Sequence, residues 1–102
     1  MNNERILIVE DEKIIAIDLQ RRLERFGYSV VGMASEGNEA IRLALELEPD
    51  IILMDIMLAG DVDGVAAAKA INDVKDIPFI FLTAYTDEKT LERAKAVQPY
   101  GY

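Results

Sequence analysis

Short apolar runs alternate along the chain with longer stretches in which apolar residues recur every three or four positions. "RILIVE" (residues 5–10) is rich in Ile, Leu and Val, the composition of a buried strand. "DEKIIAIDLQRRLERFG" places Ile15, Leu19, Leu23 and Phe26 at helical spacing and ends on Gly27, a C-terminal cap. "YSVVGMA" (28–34) predicts a second strand. "NEAIRLALELEPD" predicts a helix that buries Ile41, Ala44, Leu45 and Leu47 and stops at Pro49. "DIILMD" predicts a third strand, "GVAAAKAINDVK" an alanine-rich helix, and "IPFIFLTA" a fourth strand entered through Pro78. "TDEKTLERAKAV" predicts a fourth helix capped by Thr86, with Asp87 and Glu88 at the positive end of its dipole. "QPYGY" closes the chain.

A strand–helix rhythm of this kind implies parallel strands joined by helical crossovers on both faces of one sheet. It also accounts for strands without alternation, because neither face of such a sheet meets water. No linker, low-complexity segment or shorter repeat interrupts the 102 residues, so the expectation is one α/β domain over 1–102. A fragment of a larger α/β enzyme would show the same periodicity.

Composition narrows the chemistry. Hydrophobic residues make up 51%, enough for a core. The net charge of −8 argues against nucleic-acid or anionic-membrane binding, which needs a basic surface. Cysteine and histidine are both absent, which removes disulfides, thiolate and imidazole metal ligands, and imidazole acid–base catalysis. The start lacks a long apolar core of the signal-peptide kind, and no apolar run reaches the roughly 18 residues that span a bilayer. The expected compartment is the cytoplasm.

Three strand ends carry polar chemistry: Glu10 and Asp11 after the first, Asp55 after the third, Thr83 after the fourth. In open α/β sheets, ligands bind beyond the carboxyl ends of the strands. If these strands are neighbours, three carboxylates and a hydroxyl share one cleft. Carboxylates that close repel and call for a cation; an oxygen-only donor set suits Mg²⁺, or Mn²⁺ in its place. A carboxylate can also attack phosphorus to give an aspartyl phosphate, chemistry that needs positioning and charge neutralisation more than histidine. Each residue alone also fits a plainer role: Asp11 as a helix cap, Asp55 as a turn residue, Thr83 as a strand former. Asp61, Asp63 and Gly64 read as a loop and the start of the next helix. Met33, Met54 and Met57 read as packing, and Asp18 with Arg22 and Glu39 with Arg42 as exposed helix pairs.

"ILIVEDE", "PDIILMDIML", "DG", "IPFIFLTAY" and "GY", in this order and at these spacings, resemble the receiver domain of two-component response regulators, over essentially the whole chain. The resemblance implies a flavodoxin-like, doubly wound parallel sheet of order 2-1-3-4-(5). It makes Asp55 the phospho-acceptor, Asp11 a direct Mg²⁺ ligand, Glu10 a ligand through water, and the carbonyl of Met57 a backbone ligand. Thr83 becomes the hydroxyl that bonds the phosphoryl group and switches, Ala84 the small residue that leaves access, and Tyr102 the switch aromatic. Met57 and Tyr85 become flanking residues that tune phosphoryl lifetime.

The family's lysine on the fifth strand would fall beyond Tyr102. The expectation is therefore a C-terminally truncated receiver, with the fifth strand and fifth helix largely missing and self-association through the exposed edge of the fourth strand. The implied partners are a sensor histidine kinase or phosphotransfer protein and a downstream effector or attached output domain. The implied activity is self-catalysed phosphoryl acceptance with slow autodephosphorylation, not turnover as an enzyme, in a single-domain regulator or a part of a hybrid kinase. Two other readings compete. A Mg²⁺ phosphohydrolase with an aspartate nucleophile would want a second aspartate at position 57, which is Met. A phosphorylation-independent scaffold would have no need of Glu10, Asp11, Asp55 and Thr83 together, but it would also have no need of the lysine expected beyond Tyr102, which leaves it open.

Overall fold

The computed structural model describes residues 4–56, 58 and 62–82. Within them the chain runs β1 (Arg5–Val9), α1 (Lys13–Arg25), β2 (Ser29–Ala34), α2 (Gly37–Leu47), β3 (Ile51–Asp55), α3 (Gly64–Asn72) and β4 (Phe79–Leu82). The strands form one parallel sheet in the order β2-β1-β3-β4, the flavodoxin-like order expected. The fourth helix, the closing segment and the outer edge expected of the fourth strand turn on residues 83–102, outside the described ones.

Side chains of a strand alternate between faces, so each strand divides its apolar residues between two cores. Leu7, Val9, Ile52, Met54, Phe79 and Phe81 face α2 and α3, meeting Ala40, Ala44, Ala67, Ala68 and Ile71. The small residues let both helices lie close to the sheet. Ile6 and Ile8 face α1, where Ala16, Leu19 and Leu23 pack with Tyr28, Ile51 and Leu53. None of the helices among the described residues is long and apolar enough to cross a membrane.

α1 docks through Leu19 and Leu23 as its spacing suggests, but with Ala16 in place of Ile15 and Phe26. Ala16 is buried, and Leu19 and Leu23 are half-buried, while Ile15 is 42% and Phe26 75% exposed. The helix does end at Gly27 as expected. Gly27 has φ 95°. Its N–H donates to the carbonyl of Glu24, and the N–H of Tyr28 reaches back to that of Leu23, both at 3.1 Å. This pair of bonds satisfies the last carbonyls of the helix, and Tyr28 and Leu23 pack in the same core.

At the amino ends of the strands sits a charged clamp. The Arg5 N–H donates to Asp50 at 2.8 Å, its guanidinium donates to the Glu48 carbonyl at 3.0 Å, and Lys75 pairs with Glu48 at 2.8 Å. Asp18 and Arg22 pair at 3.1 Å as expected, but Arg42 pairs with Glu46 rather than Glu39. Glu39 instead turns back to accept the Ser35 N–H at 2.9 Å.

Candidate functional site

At the other end of the sheet, strand register brings the acidic residues together. β1 and β3 are adjacent, with Val9 opposite Met54. One step further along both strands, Glu10 comes opposite Asp55. Alternation puts Glu10 on the face of Ile6 and Ile8, and Asp55 on that of Ile51 and Leu53, which is the same face. Asp11 follows where the chain turns into α1. Carboxylate oxygens of Glu10, Asp11 and Asp55 all lie within 4.8 Å of one another.

Their surroundings differ. Glu10 is only 6% exposed. Its N–H extends the β1–β2 ladder to the Ala34 carbonyl at 2.9 Å, and its carboxylate accepts the Glu12 N–H at 3.2 Å. Asp11 is exposed and Asp55 half-buried. Burial pushes the Glu10 carboxyl up from 4.5 to about 7, against the lowering pull of the Glu12 N–H. The negative charge of Asp55 and hydrogen bonding with Asp11 and Asp55 add to the rise. A site that holds a proton so firmly favours positive charge. With only carboxylate oxygens in the cluster, a hard divalent cation fits the donor set.

The start of α3 is tied to the end of β3. Asp63 caps α3 by accepting the Ala66 N–H at 2.9 Å, as the sequence suggests. The Gly64 N–H donates to the Ile56 carbonyl at 2.9 Å. Beside the acids lies an open groove of about 340 Å³, lined among others by Lys13, Met33, Ser35 and Glu39. Met33 is 38% exposed and borders this groove instead of packing in the core, while Met54 is fully buried. Nothing in the sequence marks Met33 or Glu39 as neighbours of the acids, because they arrive from the end of β2 and the start of α2. Met57, Thr83, Ala84, Tyr85 and Tyr102 lie outside the described residues, so the roles implied for them do too.

Known proteins share this fold. The family model for the response regulator receiver domain matches residues 6–102. The transcriptional regulatory protein PdtaR of Mycobacterium tuberculosis is 38% identical over 98 residues, which is 96% of this chain and 47% of that protein. The chain spans less than half the length of several such curated relatives. Among solved structures, the signal receiver domain of a modulated diguanylate cyclase from Desulfovibrio desulfuricans superposes with a TM-score of 0.94 at 44% identity, covering 99% of this chain and 80% of that one. The receiver domain of a sensor histidine kinase from Pseudomonas aeruginosa superposes at 0.86 with 29% identity, covering 99% and 84%; it holds a magnesium ion in its active site cleft.

Proposed function

Since this chain belongs to the response regulator receiver family, we propose that it accepts a phosphoryl group on Asp55 and thereby signals to a partner or an attached domain. The observation that carries the proposal is the meeting of Glu10, Asp11 and Asp55 at the carboxyl end of the sheet. Asp55 is the nucleophile: it is half-exposed, while the strand behind it is fixed by pairing on both sides. A carboxylate oxygen of Asp55 bonds to phosphorus as the bond from phosphorus to the donor nitrogen or oxygen breaks, and that atom leaves with the electron pair. By the family resemblance, Asp11, Asp55 and the Met57 carbonyl would hold Mg²⁺ directly and Glu10 through water; the Pseudomonas receiver, which holds a magnesium ion in its active site cleft, supports the choice of ion. The ion would supply charge neutralisation at the phosphoryl oxygens. Glu10, the most buried of the three, fixes the turn into α1 by accepting the Glu12 N–H.

The resemblance further assigns Thr83 to the phosphoryl oxygens, Ala84 to access and Tyr102 to the switch. Phosphorylation would bias a two-state equilibrium, the chain acting as acceptor and not as a turnover enzyme. The donor would be a sensor histidine kinase or a phosphotransfer protein. Incubation with acetyl phosphate and Mg²⁺ should add one phosphoryl group by intact mass, and Asp55→Asn should add none. Equal labelling of the Asn variant would remove Asp55 from this role.

A further inference from the structure

Gly64 opens α3 directly over the exit of the acceptor strand. A Cβ built on it would lie 2.0 Å from the carbonyl oxygen of Asp55, and 2.9 Å from both its carbonyl carbon and the Cα of Ile56. Ordinary contacts begin near 3.4 Å, and these are backbone atoms that cannot swing aside. Even alanine would therefore have to move a peptide by over an ångström.

The bodies on either side are anchored. α3 is capped by Asp63 and buries Val65, Ala67, Ala68 and Ile71. β3 is paired to β1 and β4, and Ile56 is only 1% exposed. The Asp55–Ile56 peptide is the link between them: Gly64 lies against its carbonyl, and the next carbonyl along, that of Ile56, accepts the Gly64 N–H at 2.9 Å. Any displacement of that link carries the Cα of Asp55 with it and re-aims the carboxylate.

We propose that Gly64 is a positioning residue for Asp55: by lacking a side chain it seats α3 against the acceptor's own peptide and fixes where the carboxylate stands relative to Glu10 and Asp11. The inference rests on Asp55 being the acceptor. Gly37 supplies a contrast. A Cβ there would lie 2.3 Å from the carbonyl oxygen of Val62, an equally forbidding contact at another helix start, but against a loop residue and not against the acceptor strand.

The test compares wild type, Gly64→Ala and Gly37→Ala, each at a temperature where circular dichroism shows it folded. Mn²⁺ binding followed by electron paramagnetic resonance reads the carboxylate spacing without any reaction. Acetyl-phosphate labelling at saturating Mg²⁺ reads the acceptor. Gly64→Ala should bind Mn²⁺ several-fold more weakly and label on the order of tenfold to a hundredfold more slowly, the cost of misplacing a reacting group by about an ångström. Gly37→Ala should lose stability but keep both properties. The inference fails if folded Gly64→Ala matches wild type in both readouts, or if Gly37→Ala loses both equally. If wild type takes no phosphoryl group, the acceptor reading fails, while the Mn²⁺ comparison still decides what Gly64 does. If Gly64→Ala does not fold, Asp63→Ala loosens the same turn without adding atoms; weakened Mn²⁺ binding then supports the proposal and unchanged binding overturns it.

Discussion

Glu10 is the residue whose environment departs furthest from what its type suggests. A carboxyl whose folded pKa lies above its unfolded value holds its proton more tightly when folded. Its contribution to stability is therefore complete below pH 4.5 and is lost as pH rises through about 7. At about 1.4 kcal/mol per pH unit, the loss is on the order of 3 kcal/mol for the metal-free protein. Urea unfolding in a chelator across this window should show wild type weakening with pH, while Glu10→Gln, which cannot titrate there, stays flatter. Parallel curves for the two proteins would show that Glu10 titrates as an ordinary glutamate. The acidic positions themselves were legible in the sequence, because carboxylates directly after apolar runs mark strand ends. The raised Glu10 was not. It depends on burial and on the distance to Asp55, both products of tertiary packing.

Among the elements, α1 shows where periodicity stops being informative. Its type and its end at Gly27 were readable, but its rotation was readable only in part. Ile14, Ile15, Ala16, Ile17 and Leu19 spread apolar residues around much of the helix, so spacing alone admits more than one buried stripe. Docking on Ile6 and Ile8 chooses Ala16, Leu19 and Leu23 and leaves Ile14 85% exposed. Gly27, in contrast, is fixed by its backbone, since φ 95° is a conformation that side-chain-bearing residues disfavour. Gly27→Ala should cost about 1 kcal/mol, a fall of roughly 4–8 °C in Tm for a domain of this size. Phe26→Ser, one residue earlier but exposed, should stay within about 0.5 kcal/mol of wild type. Thermal melts of the two variants side by side check this; the reverse order would mean that Phe26, and not the turn, anchors the end of α1.

For the whole molecule, the rhythm of strands and helices was enough to predict a parallel sheet, and the family resemblance supplied the order of its strands. The register that sets Glu10 across from Asp55 had to come from the structure. Among the described residues, the two ends of the sheet differ in charge. Arg5 and Lys75 are engaged by Asp50 and Glu48 at the amino ends of the strands, whereas Glu10, Asp11 and Asp55 gather at the carboxyl ends, in a chain of net charge −8. Diffusing reactants meet that field before they meet the site. A small anionic donor such as acetyl phosphate is repelled on approach, so its labelling rate at saturating Mg²⁺ should rise with added salt as the field is screened within about 10 Å at 0.1 M. A donor protein presenting a cationic face is drawn in, and its rate should fall with the same salt. Ionic strength would then sort donors by the sign of their charge, and initial rates measured across a salt series with both kinds of donor would reveal it as slopes of opposite sign.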